Sequence, residues 1–320
     1  MDRSRPTRRW RYMLLWTAFA VAIVFPFLAP NTYYIYVMTM AFVTVISATG
    51  LNVILGYAGQ LNLAHAGFYA VGAYVVGIST VDYGVPYWLA FVLAAAFTGV
   101  LGLITGWISL RLKSHYFAIF TLCIGFIIYL LIEKSEFTHG TIGIIDIPSP
   151  GVFGPVSFED SSPQYFLALG FMIAALWVMS RFVRSLWGRA FLAVRNSEEL
   201  AEAIGINVMR TKVLALVIST TYAGVAGALY AGITRFLDPS MALITHTFQL
   251  VAYVLVGGIG TLYGPLVGVL LMTWLMQFVG PLEDYTMLLY GPMLILLVML
   301  LPHGLMGLYS SRRSRSGAHA

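Results

Sequence analysis

Long apolar runs dominate the chain, and polar residues gather in short intervals between them. Uninterrupted runs lie near residues 13 to 29, 33 to 55, 64 to 81, 87 to 110, 116 to 132, 164 to 182 and 213 to 234. Each approaches the roughly 20 residues that carry an α-helix across a bilayer core. The stretch from 244 to 302 is interrupted by Gly257-Gly258-Ile259-Gly260 and by Gly280-Pro281-Leu282-Glu283-Asp284, which predicts further segments near 244 to 256, 262 to 279 and 286 to 302. The pattern predicts an all-α polytopic membrane protein of about ten transmembrane segments, or about eight if the last region crosses once. The transmembrane domain would span residues 13–308, between basic tails at 1–12 and 309–320.

Composition agrees: 59% of the 320 residues are apolar and 10% are charged, against roughly 45–50% and 25% in a soluble domain. The net charge of +5 raises the question of nucleic acid, and the placement of the charges answers it. With the N-terminus inside, every Lys and Arg except Lys134 and Arg235 falls on the inner side. That asymmetry follows the positive-inside rule, puts both termini in the cytoplasm and leaves nucleic acid unneeded. The arginine-rich start resembles a secretory signal, but no small-residue cleavage site follows Phe25-Pro26-Phe27, so an uncleaved helix is expected. The acids Asp82, Glu133, Glu136, Asp146, Glu159, Asp160, Asp238, Glu283 and Asp284 all fall on the outer side. None lies mid-span, where an ion-driven carrier would keep one, which disfavours self-powered transport and leaves a passive pore open. A lone cysteine, Cys123, excludes an intrachain disulfide and a cysteine zinc cluster. No metal site is expected. The three lysines Lys113, Lys134 and Lys212 do not follow glycine as a P-loop requires, so ATP binding of that kind is excluded.

Two loops are long enough to act. The outer loop 133–163 contains Thr141 to Ile147, whose β-branched residues predict a short strand. It either receives a partner delivering solute or covers the outer helix ends. The inner loop 183–212 contains Asn196-Ser197-Glu198-Glu199, a helix start with Asn196 or Ser197 as N-cap and Glu199 placed to close a capping box. Gly205 is a natural stop for this short helix over 197–204. Arg189, Arg195, Arg210 and Lys212 flank it, which fits docking on a cytoplasmic protein or lying on lipid phosphates. Within the membrane, Asn52, Gln60, Asn62 and His65 cluster around Gly56 and Gly59 at a break between two apolar runs. They either line a solute path or glue helices together. For His65 the structural role is favoured. Gly257, Gly258 and Gly260 mark a candidate second break, with Gly257, Gly260 and Leu262 echoing the spacing of Gly56, Gly59 and Leu61, although glycine is common in membrane helices. Gly102 with Gly106, Gly224 with Ala228 and Gly264 with Gly268 are small-residue pairs that let helices pack closely.

The run from Gly50 through Gly56-Tyr57-Ala58-Gly59-Gln60-Leu61-Asn62-Leu63-Ala64-His65 to Phe68 resembles the signature of branched-chain amino acid ABC transporter permeases of the LivM type. Tyr116 to Leu122, Gly188-Arg189-Ala190 through Gly205-Ile206-Asn207 to Lys212, Gly257 to Pro265 and Leu301 to Leu308 agree in order. The resemblance implies a permease subunit of the bacterial inner membrane that binds no cofactor itself. Its implied partners are a LivH-like second permease, two cytoplasmic ATPase subunits that use the ATP, an external periplasmic solute-binding protein and the lipid bilayer. ABC importer permeases dock their ATPase through a Glu-Ala-Ala-x-x-x-Gly loop, which Glu199, Ala201 and Gly205 match and Leu200 does not. The resemblance therefore assigns ATPase coupling to Arg189, Arg195, Glu198, Glu199, Ala201 and Gly205. It leaves urea or short amides as alternative solutes, and a stand-alone channel as the rival class. Thr138-His139-Gly140 departs from the family's Thr-Gly-Gly and places a titratable group in the outer loop.

Overall fold

The protein is seen in a computed structural model that describes residues 21–109, 114–153, 156–158, 160–279 and 304–306. The start of the predicted first span, the segment 286–302, the break at Gly280 to Asp284 and both basic tails lie outside the described residues. A helix α1 is described over 21–28. It is followed by α2 (Thr32–Asn52), a π-helical turn (Val53–Tyr57), α3 (His65–Val81), α4 (Tyr87–Ser109), α5 (Ser114–Lys134) and α6 (Ser161–Val183). Then come α7 (Leu186–Asn196), α8 (Glu198–Ala203), α9 (Val208–Thr234), α10 (Ile244–Gly257) and α11 (Gly264–Val279). Among the described residues five helices are long and apolar enough to cross a membrane: Thr32–Tyr57, Tyr87–Ser109, Tyr116–Lys134, Ser161–Val183 and Val208–Thr234. His65–Val81, Ile244–Gly257 and Gly264–Gln277 are shorter apolar helices. The protein is an all-α polytopic membrane protein.

The apolar pattern places the helices in layers. α2 is apolar on all sides and, from Ala41 to Tyr57, almost continuously buried, as a central helix must be. α9 packs on α2, α3 and α4 through small residues. A methyl group on Gly72 would meet the backbone of Gly224, one on Gly227 the carbonyl of Tyr69, and one on Gly102 the side chain of Thr220. α4 and α5 lie outside and present Leu93, Phe97, Ile104, Ile119, Phe126 and Leu131 outward. These are the side chains that lipid would cover.

The helix ends form two chemically different faces. At the acidic end, Asp82 pairs with His139 at 3.1 Å, and Ile144 forms an antiparallel bridge with Leu237. The expected strand over Thr141 to Ile147 is reduced to that bridge. Gly140–Ile142 coils into a 3-10 turn, and left-handed residues at Gly143 (φ 75°) and Asp146 (φ 58°) prevent an extended run. Two-residue strands Val152–Phe153 and Val156–Ser157 pair later in the loop. Ile144 and Ile147 are buried in the core, so this loop covers the ends of the helices beneath it. At the opposite, basic end lie Arg195, Arg210 and Lys212.

Candidate functional site

α2 does not run cleanly to its end. Its last turn widens to a π-helix, Ala58 N–H donates to Val53 O at 3.0 Å, and Gly59 turns the chain at φ 71°. π-turns of this kind often occur where function needs an irregular helix. The Asn52 side chain spans the gap to the second glycine break: its Nδ2 donates to Thr261 O at 2.9 Å, and its Oδ1 accepts from Gly260 N–H at 2.9 Å. A methyl group on Gly56 would run into both Asn52 and the Gly260 backbone. The two glycine segments that echo each other in the sequence are therefore packed together in space. Gly258 lies in the same turn and accepts from the Thr261 hydroxyl at 2.8 Å. Gly257 does different work: a Cβ there would strike the carbonyl of Gly264 and approach Gly268, so it seats α10 on α11.

A cationic residue closes this knot. The Arg195 guanidinium donates to the Gly56 carbonyl, and a Cβ on Gly59 would lie 2.9 Å from Arg195 Cγ. Arg195 belongs to α7, an eleven-residue amphipathic helix that the sequence reading does not separate from the surrounding loop. The signal was there: Gly188, Phe191 and Val194 recur at three-residue spacing, and all are buried. Phe191 packs with Val53, Tyr57 and Ala58, so α7 sits directly on the π-turn.

Next to the break, the start of α3 is held by side chains from elsewhere. His65 is fully buried, with Nε2 3.2 Å from Ser47 Oγ and 3.0 Å from Ser47 O, and Nδ1 3.3 Å from Ser219 Oγ. It joins α2, α3 and α9 as a partnered structural histidine. The Thr247 hydroxyl accepts from Ala66 N–H at 3.0 Å, and Thr121 from Leu63 N–H at 3.1 Å. Asn62 Oδ1 accepts from Ala64 N–H at 3.0 Å. Two buried amide groups remain without a partner among the described residues, Gln60 Oε1 and Asn62 Nδ2. Such groups carry a desolvation cost of roughly 1–3 kcal/mol each.

The predicted short helix is present as α8, and Ser197 is its N-cap, accepting from Leu200 N–H at 3.2 Å. The expected capping box does not form. With the cap at Ser197 the third helical position is Leu200, and Glu199 sits one place too early to reach back. Gly205, at φ 84°, ends the helix with Gly205 N–H on Glu202 O at 2.9 Å and Ile206 N–H on Ala201 O at 3.0 Å, a Schellman motif. Ala201 is buried with Val194 and Val208, while Glu199, Leu200 and Ile204 are exposed. Glu198 forms an ion pair of 2.6 Å with Lys212, whose side chain is 3% exposed against 45% for Glu198. Arg189 and Arg210 face a hollow of about 760 Å³ beside Trp187 and Ile204.

A second cavity, of about 420 Å³, lies between α2, α3, α9 and α10. Exposed Asp238, Ser240 and His246 stand at one end of it, and buried Ser47 and Ala66 at the other.

Residues 33–298 match the family described as branched-chain amino acid transport system / permease component. The chain belongs to this family. The high-affinity branched-chain amino acid transport system permease protein LivM of Salmonella typhimurium is 30% identical, over 92% of this chain and 74% of its own. Its counterpart in Escherichia coli is 29% identical over 89% and 72%. LivH of Salmonella typhimurium is 26% identical over 81% and 90%. No solved structure matches the chain. Within this permease the sequence reading marks each of the two glycine segments of the knot, but identifies neither their meeting nor the cavity. The cavity walls come from four helices far apart in the chain, and no local spacing announces them.

Proposed function

We propose that this permease is the LivM-type subunit of an ABC importer that moves branched-chain amino acids across the bacterial inner membrane. A LivH-like permease, two ATPase subunits and an external solute-binding protein complete the assembly. The basic end faces the cytoplasm and the acidic end faces outward, a reading supported by the placement of Arg and Lys. The chain is a transport subunit without an ATP-binding motif of its own, so the partners hydrolyse ATP.

The observation that carries the coupling role is the bond from Arg195 to the Gly56 carbonyl. It ties the segment that resembles an ATPase-docking loop to the broken end of the most central helix. In this mechanism the exposed face of α8, with Glu199 and Leu200, rests on the ATPase. Nucleotide binding displaces α8, Lys212 passes the displacement to α9 through Glu198, and α7 passes it to the break through Arg195 and Phe191. A packed two-state element of this kind turns a small shift at one end into opening at the other.

The test is leucine uptake into proteoliposomes by the complete assembly. Uptake is expected to require ATP, both permeases and the binding protein, and to fail with Glu199→Arg or Gly205→Pro. Vigorous leucine flux through this chain alone, without ATP, would refute the reading.

A further inference from the structure

The cavity between α2, α3, α9 and α10 carries the chemistry of a ligand site that the family match does not assign. Its volume of about 420 Å³ falls within the roughly 300–1,000 Å³ typical of small-molecule sites. Asp238 is the one carboxylate along its walls, and no Lys or Arg lines it among the described residues. The carboxylate is oriented by its own turn, with Oδ1 accepting from Ser240 N–H at 2.6 Å. The rings of Tyr69 and Tyr230 pack at 5.7 Å. Tyr36, Tyr69 and Tyr230 line the same cavity as Asp238. One anion therefore stands beside a group of hydroxyl donors, and Met40, Met241 and Leu250 give the same cavity an aliphatic wall. Another hollow, of about 530 Å³ between α1, α2, α6 and α11, offers no carboxylate, ammonium or amide side chain. It cannot satisfy a charged solute.

The geometry points to the 420 Å³ cavity as the solute chamber, built for an aliphatic α-amino acid in its zwitterionic form. The solute's ammonium group is held by Asp238, its carboxylate by the tyrosine hydroxyls, and its side chain by Met40, Met241 and Leu250. Phenols hold a carboxylate less firmly than an arginine fork does, and a transport site must release what it binds. This inference rests on the importer reading above and names the site within it.

The experiment uses the complete importer, with its binding protein, carrying Cys123→Ser and a single new cysteine on the cavity lining, Thr44→Cys or Gln249→Cys. A membrane-impermeant thiol reagent is added outside, with leucine, glutamate, urea or no solute. Labelling is expected at both positions, slowed by leucine and unchanged by glutamate or urea. Adding Asp238→Asn is expected to raise the leucine concentration needed for protection about tenfold or more, the loss of one charge-assisted contact. Asp238→Asn keeps an oxygen for Ser240 N–H, and Asp238→Glu is expected to restore protection, which separates loss of contact from misfolding. If labelling ignores leucine while the same vesicles take leucine up, the chamber is misplaced and the importer reading stands. If the unmodified assembly takes up no leucine, both fall together.

Discussion

His139 adopts φ 61° and Gly140 φ 58°, two consecutive left-handed residues. A non-glycine residue pays roughly 1–2 kcal/mol for that conformation. The 3.1 Å pair with Asp82 is part-exposed and returns at most about 1 kcal/mol. His139→Gly is therefore expected to hold or raise the thermal midpoint of the detergent-solubilised permease. His139→Val, β-branched and unable to pair, is expected to lower stability by about 1–2 kcal/mol. A valine variant as stable as the parent would show that the turn relaxes freely. Gly56 poses the opposite problem, one of space. Its missing Cβ is what lets Asn52 and Gly260 close on the π-turn, so Gly56→Ala is expected to cost about 1–3 kcal/mol through overpacking. The same thermal measurement checks it.

Among the elements, α8 depends most on its tethers. Six residues cannot sustain a helix in water unaided, and this one is fixed by Ser197, by Gly205, by Ala201 in its small apolar contact and by the Glu198–Lys212 pair. Lys212 is buried and Glu198 is nearly half exposed. Removing the carboxylate strands a buried ammonium, whereas removing both charges strands nothing. Glu198→Gln is expected to cost about 1–2 kcal/mol, less than a fully buried pair because water screens Glu198. It is also expected to speed proteolysis between α7 and α9, and Glu198→Gln with Lys212→Met is expected to reverse much of that. If the double variant were cleaved faster than the single one, the pair would be holding α8 directly. The long spans were legible in the sequence because each carries an uninterrupted apolar run. α7 was overlooked although Gly188, Phe191 and Val194 recur at helical spacing, because three buried positions are a short signal and their partner surface on Val53 and Tyr57 is remote in sequence.

At the scale of the whole molecule, the glycine breaks were legible as breaks, but their meeting was not. Asn52 and Gly260 are brought together only by packing α2 against α10 and α11. The chamber was hidden for the same reason. Beside the break, Gln60 Oε1 and Asn62 Nδ2 remain unpartnered among the described residues. Buried amides of this kind gain hydrogen bonds when water or solute reaches them. Arg195 is placed to hold the present arrangement by occupying the Gly56 carbonyl from α7. Arg195→Ala is accordingly expected to leave the importer assembled and hydrolysing ATP, while leucine uptake per ATP falls about tenfold, the weight of one hydrogen bond to a charged group. Arg195→Lys keeps a donor of the same charge but loses the planar reach of the guanidinium, and should fall between. The decisive measurement is the ratio of uptake to hydrolysis in the same proteoliposomes. A residue that only supported the fold would lower both together and leave the ratio intact, whereas a link between the docking segment and the break lowers the ratio itself.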